Sequence, residues 1–196
     1  MKTTLHRREV AKILLHERKD LLVVAGLGST AWDITAAGDS PLSFPLWGAM
    51  GSAAMIGLGV ALAQPARRVL VITGDGEMLM GMGSLATIGV QKPRNLAVVV
   101  IDNERYGETG MQRTHTAAGV DLAKVAKGCG FGKASLIRSK GQLTGLRRAI
   151  HQGAGPIFAQ VKVVAEKIPL VLPPRDGALL KARFRRALLG EAADLD

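Results

Sequence analysis

Short, wholly apolar runs recur along the chain, separated by longer stretches in which apolar residues return every three or four positions. Leu21–Ala25 (LLVVA), Arg68–Thr73 (RVLVIT), Leu96–Ile101 (LAVVVI), Lys133–Ile137 and Ile157–Val163 read as strands. Runs of this kind, apolar on successive residues, belong to strands covered on both faces. Helical spacing predicts helices over 5–18, with Val10, Ile13, Leu14 and Leu15 on one side, and over 51–63, 78–91, 121–128 and 140–152. A glycine-broken turn, Gly26-Leu27-Gly28-Ser29-Thr30, leads from the first strand into a further helix. This alternation predicts an α/β fold, a parallel sheet with helices on both faces. Ligands of such sheets bind beyond the carboxyl ends of the strands. Gly26–Thr30, Gly74-Asp75-Gly76 and Asp102-Asn103 all fall there.

The pattern divides the chain into a domain over 1–164 and a different segment over 165–196. Ile168–Pro174 is apolar but broken by prolines, which predicts an extended strap. A basic amphipathic helix follows, with Leu179, Leu180, Phe184 and Leu188 on one side. That side can pack on the chain's own core, and a partly intermolecular role, with packing on a partner subunit, is favoured.

Composition narrows the class. Hydrophobic residues make up 47% and aromatics 4%, so the core is aliphatic. The single cysteine, Cys129, excludes a disulfide framework, a cysteine-ligated zinc and an iron–sulfur cluster held by this chain alone. Lys2, His6, Arg7, Arg8 and Glu9 interrupt any early apolar run, so no signal peptide is expected. The longest apolar run, Ala49 to Ala63, stops short of the ~18 residues a membrane span needs. A soluble, cytoplasmic protein is the expectation. The net charge of +10 is gathered at Arg67/Arg68, Arg147/Arg148 and the tail residues Lys181, Arg183, Arg185 and Arg186. No aromatic residues interleave with them as a stacking platform for nucleic acid. Attraction of small anions is the simpler use of that charge.

The chemistry is carried by Gly74-Asp75-Gly76, then 25 residues, then Asp102-Asn103. One βα unit takes about that many residues, so Asp75 and Asn103 can converge at neighbouring strand ends. Mg²⁺ takes hard oxygen ligands and is held by few protein groups together with phosphates. Asp75 offers a carboxylate, Asn103 an amide oxygen and Arg105 a main-chain carbonyl. Gly76 lets the main chain approach a phosphate, and N–H groups of the helix beginning near Glu77 can cradle it.

This spacing resembles the cofactor motif of the thiamine diphosphate-dependent enzymes, whose usual ending is Asn-Asn where this chain has Asp102-Asn103. Gly48-Ala49-Met50-Gly51 is similar to a further segment of that family. The resemblance implies that the Gly48 carbonyl receives the aminopyrimidine and that Met50 bends the cofactor. Gly28-Ser29 and Gly74 match segments that help bind the diphosphate. The likeness covers residues 20–165, the pyrophosphate-binding domain alone. It therefore implies a separate pyrimidine-domain α subunit that supplies the activating glutamate. Asp102 to Thr116 (DNERYGETGMQRTHT) resembles a loop in the small β subunits of sulfopyruvate decarboxylase and the matching half of phosphonopyruvate decarboxylase. By that likeness the loop starts at the metal and passes over the cofactor. Tyr106 joins the cofactor contacts, Glu108, Gln112 and His115 are candidate catalytic groups, Thr109 a further hydrogen-bonding group and Arg113 an anion partner.

The implied activity is decarboxylation of a small 2-oxo acid by a hetero-oligomer with a dimeric or tetrameric core, and the basic composition with Arg113 favours a dianionic substrate. Alternatives are an acetolactate synthase-like carboligase, a 2-oxo acid:ferredoxin oxidoreductase β subunit, and a cofactor-binding regulatory subunit. Individual residues also have plainer roles: Met50 as core filling, Ser29 as a helix N-cap, Asp102 as a turn former and His115 as a structural hydrogen bonder.

Overall fold

Residues of the central strands alternate between two apolar layers, and that alternation builds the molecule. The computed structural model describes residues 3–194; the outermost ends of the two predicted segments, 1–2 and 195–196, lie outside them. Six strands, β1 (Leu22–Ala25), β2 (Ser43–Pro45), β3 (Val69–Gly74), β4 (Leu96–Asp102), β7 (Lys133–Ile137) and β8 (Ile157–Lys162), form one parallel sheet in the order β2-β1-β3-β4-β8-β7. Val24, Val71, Val98 and Phe158 lie side by side in register and face one layer. Their neighbours Val23, Leu70, Ala97 and Ile157 face the other.

Helices cover both faces, as a doubly buried sheet requires. On one side lie α1 (Arg7–Leu15), α2 (Ser29–Ala36) and α7 (Lys140–Gln152), contributing residues such as Leu14, Ile34 and Leu146. On the other lie α3 (Ala53–Ala63), α4 (Asp75–Met80), α5 (Ser84–Gln91) and α6 (Leu122–Gly128), contributing Leu58, Met78, Ile88 and Ala126. From β1 the chain passes outward to β2, then returns to place β3 on β1's other side. The connections diverge between β1 and β3, which opens a crevice at their carboxyl ends. No helix among the described residues is long and apolar enough to cross a membrane.

The helix expected over 78–91 is two helices. The break is at Gly81-Met82-Gly83, where a Cβ on Gly81 would lie 2.0 Å from the Gly51 carbonyl oxygen. Two main chains cross there, and such a close approach leaves no regular sequence signal. The edge strand β2 and a two-stranded hairpin, β5 (Arg105–Tyr106) with β6 (Gln112–Arg113), were absent from the sequence reading; at three and two residues they are too short for periodicity.

Part of the C-terminal segment's apolar side packs on its own chain. Helix α8 (Gly177–Leu189) starts at an Asp176 cap that accepts from the Ala178 and Leu179 amides. Leu180 and Phe184 are buried, and the Phe184 ring packs on that of Phe44 in β2 with centroids 5.4 Å apart. Arg183 grips Asp39 through two bonds of 2.6 and 3.0 Å. The strap is tied down by Trp47 Nε1 donating to the Pro174 carbonyl and Arg8 donating to that of Pro169, both at 2.7 Å. Leu179 was expected on the inner side but is half exposed, as are Leu170, Val171, Leu172 and Leu189.

Candidate active site

Strands β3 and β4 pair in register up to Gly74 opposite Ile101, so Asp75 and Asp102 emerge side by side at the carboxyl edge. Both are buried. Asp75 Oδ2 accepts the Thr114 hydroxyl at 2.6 Å and the Thr116 hydroxyl at 3.3 Å. Asp102 Oδ1 accepts the Thr116 hydroxyl at 2.8 Å and the Glu104 amide at 3.0 Å. Its Oδ2 accepts Gln160 Nε2 at 2.6 Å and the Lys162 ammonium at 2.8 Å. Lys162 also reaches Glu104 at 2.7 Å. Asp102 therefore does more than shape the following turn: it ties β4, β8 and the 104–116 loop together, while Asp75 faces the crevice.

Burial, and then the charge of Asp102, raise the Asp75 carboxyl from its ordinary value to about 6, against the pull of the Thr114 and Thr116 hydroxyls. Burial opposes the Lys162 charge, but its bonds to Asp102 and Glu104 prevail and raise it above an ordinary lysine. Glu77 is raised by burial, opposed by the Thr73 hydroxyl donating at 2.8 Å.

The crevice is a cleft of about 280 Å³, slightly below the usual range of about 300–1,000 Å³ for small-molecule sites. It gathers most of the expected site: Ser29 and Met50; Gly74, Asp75, Gly76 and Glu77 from the β3–α4 turn; Asn103, Arg105, Tyr106 and Glu108 from beyond β4. Gly28 and Gly48 lie outside its lining, as do Gln112 and His115. Gly28 is nevertheless adjacent, with the Glu108 carboxyl packed over it. Gly28, not Ser29, is the N-cap position of α2; Ser29 is the first helical residue and makes no side-chain cap.

The 105–116 loop folds as a hairpin, which explains where its polar groups point. Thr109 Oγ1 donates to Gln112 Oε1 at 3.0 Å and Gln112 Nε2 returns to the Thr109 carbonyl at 2.8 Å, so Gln112 staples the hairpin tip. Arg113 donates to the Ala117 carbonyl. His115 is exposed on a short 3₁₀ turn, His115–Ala118. The Tyr106 ring fills the space beside Gly76: a Cβ there would lie 2.5 Å from Tyr Cε1. Gly76 thus admits an aromatic ring in addition to the phosphate approach expected of it. Arg7 and Met80 also line the cleft. Neither carries a motif, and Arg7 enters the sequence analysis only as a charge that interrupts an early apolar run.

The donor set at the cleft is all oxygen. Asp75 keeps Oδ1 clear of the two threonine hydroxyls, which both bind Oδ2. Asn103 Oδ1 accepts the Arg105 amide at 2.9 Å, which fixes the amide oxygen with a lone pair to spare. Among the described residues no three His, Cys, Asp or Glu side chains group as a metal cluster. One carboxylate whose ionisation is opposed by burial, one amide oxygen and a main-chain carbonyl fit a hard cation that brings phosphate oxygens with it.

Comparison with known proteins places these features in context. The family model described as thiamine pyrophosphate enzyme, C-terminal TPP binding domain, matches residues 27–161. The sulfopyruvate decarboxylase subunit beta of Methanothermobacter thermautotrophicus is 36% identical over 190 residues, covering 97% of this chain and 99% of that protein. The phosphonopyruvate decarboxylase of Streptomyces viridochromogenes is 45% identical over 120 residues, 61% of this chain but only 30% of that protein. The solved structure of benzoylformate decarboxylase from Polynucleobacter necessarius superposes with a TM-score of 0.68 at 20% identity, over 85% of this chain and 34% of that one. At that identity the structural likeness speaks to the fold alone.

Proposed function

This chain belongs to the thiamine pyrophosphate enzymes, whose C-terminal cofactor-binding domain it carries, and from that premise we propose that it is the thiamine diphosphate- and Mg²⁺-binding subunit of a two-subunit 2-oxo acid decarboxylase acting on a sulfopyruvate- or phosphonopyruvate-like substrate. The observation that supports this reading most strongly is the end-to-end match to a β subunit of that activity. Partial matches to longer chains would fit any enzyme built on the same domain.

Bound thiamine diphosphate supplies the electron sink that lets a carboxylate leave a 2-oxo acid as CO₂. The chain's own residues serve it as follows. Asp75 and Asn103, with the Arg105 carbonyl, hold the metal. Main-chain N–H groups at the start of α4 and the Ser29 turn of α2 receive the diphosphate. Met50 supports the ring system from the apolar wall. Tyr106, seated on Gly76, and Glu108, seated on Gly28, line the cleft from the loop side. Glu77 is held beneath the cleft by Thr73. The glutamate that activates the aminopyrimidine comes from the separate pyrimidine-binding subunit, in a hetero-oligomer. His115 and Gln112 act, in this reading, only where the partner subunit meets the hairpin.

The test is a mixing experiment with purified chain, thiamine diphosphate and Mg²⁺, with and without the pyrimidine-domain subunit, on sulfopyruvate, phosphonopyruvate and pyruvate. Turnover of a dianionic substrate by the mixture and none by the chain alone is the expected result. Full turnover by the isolated chain, or carboligation without aldehyde release, would overturn it.

A further inference from the structure

Arg7 is a buried charge that the cofactor motif does not use. It is 5% exposed, and its guanidinium lies where two cavities meet: the cleft already described and a second of about 240 Å³ between α2, the 105–116 loop and the C-terminal strap. Among the described residues, its hydrogen bonds both leave from Nη1, to Asp33 Oδ2 and to the Ser29 carbonyl at 3.1 Å. Those two bonds anchor α1 to α2, and one edge of the guanidinium suffices for them. The remaining N–H edge is surplus to anchoring. Arg8 shares the same carboxylate through Nε at 3.2 Å but turns its other end to the Pro169 carbonyl of the strap. One carboxylate, Asp33, thus serves two guanidinium groups. Lys167 also lines the second cavity, as does Glu166, whose Oε2 pairs with His6 at 2.8 Å while its buried Oε1 has no partner. Glu108, which is exposed, lines both cavities with Arg7, and burial raises its carboxyl against the pull of the Arg7 charge.

We propose that Arg7 is an oxyanion-binding residue of this site: held from behind by Asp33 and the Ser29 carbonyl, its free edge receives a tetrahedral phosphoryl or sulfonyl group. The planar fork of an arginine matches such groups with two parallel bonds. Burying it beside too few carboxylates is costly unless an anion completes the pairing. Two ligands implied by the proposed function carry this chemistry, the cofactor's diphosphate and the second anionic group of the substrate. Arg113, the anion partner suggested by the sequence, points instead to Ala117. The proposal rests on the functional reading for its choice of ligands, and calorimetry reads its cofactor arm without turnover.

Arg7→Gln, Arg7→Lys and the control Arg8→Gln are compared in the full chain with its partner subunit, by calorimetry with Mg²⁺–thiamine diphosphate and, on the loaded enzyme, with phosphonopyruvate against pyruvate. A hydrogen-bonded charge pair is worth about 1.5–3 kcal/mol, so Arg7→Gln should weaken one ligand about 10–100-fold while Arg8→Gln does not. Weaker cofactor binding assigns Arg7 to the diphosphate. Unchanged cofactor binding with weaker phosphonopyruvate but unchanged pyruvate binding assigns it to the substrate. Arg7→Lys keeps the charge and the Asp33 pairing, and partial recovery is expected; it also serves where the glutamine variant fails to fold. Normal affinity for all three ligands in a folded variant means Arg7 only anchors α1, and the proposal falls. Absence of any 2-oxo acid turnover would defeat the functional reading while leaving the cofactor arm intact.

Discussion

The Lys162 ammonium lies 2.8 Å from the Asp102 carboxylate, and Asp102 is wholly buried. This pair gives the chain's Asp102-Asn103 its meaning. An aspartate in the first place brings a negative charge close to Asp75, and Lys162 on the next strand offsets it. The same carboxylate takes Thr116 and the Glu104 amide, so the charge that would disturb the metal site instead orders the loop beside it.

Removing one member of a buried pair strands the other. Lys162→Met should therefore destabilise the chain by about 3–5 kcal/mol, read as a lower denaturant midpoint with unchanged slope. Asp102→Asn combined with Lys162→Met removes both charges and should recover most of the loss. If the double variant is as unstable as the single one, the pairing is not what Lys162 contributes.

The convergence of Asp75 and Asn103 was legible because spacing encodes one βα unit, and apolar runs encode strand order's local steps. The 140–152 helix and the 133–137 strand were read at their observed bounds for the same reason. What escaped was set by contacts distant in sequence. Arg7 reaches the cleft only because α1 packs on α2 and meets Asp33. Gln112 and His115 were placed by proximity to the motif, but the Thr109–Gln112 staple and the hairpin register decide where they point. Helix 78–91 broke where the Gly51 main chain crosses Gly81. No periodicity carries that information.

Helix α8 tests whether the C-terminal segment is part of the body. Phe184 is 6% exposed and stacks on Phe44. Replacing a buried Phe by Ala costs about 3–5 kcal/mol, so Phe184→Ala should lower global stability by that order in the isolated chain. Arg183→Ala, at a partly exposed pair with Asp39, should cost no more than about 1 kcal/mol. A Phe184→Ala chain with a wild-type unfolding curve would mean that α8 docks independently and finds its main contacts on a partner.

The raised carboxyl of Asp75 predicts an opposing pH dependence for the metal-free and metal-loaded chain. Its folded value, about 6, stands above the ordinary 3.8. Between those values the folded chain holds a proton that the unfolded chain has released, so stability falls as pH rises through the window. The metal-free chain should accordingly melt higher at about pH 5 than at about pH 7. Asp33 and Glu77 are shifted in the same direction by burial, so the wild-type slope alone does not isolate Asp75. Asp75→Asn does: the amide keeps an oxygen for Thr114 and Thr116 but has no proton to exchange, and the slope should flatten. Mg²⁺ with thiamine diphosphate requires the ionised carboxylate, so its binding should strengthen as pH rises through about 6 and counter the loss of stability. In Asp75→Asn that gain should disappear, with cofactor affinity weak at every pH. Thermal melts of both proteins at the two pH values, with and without cofactor and Mg²⁺, give the answer. An Asp75→Asn chain that retains the wild-type slope and the wild-type cofactor affinity would place both the titration and the metal elsewhere.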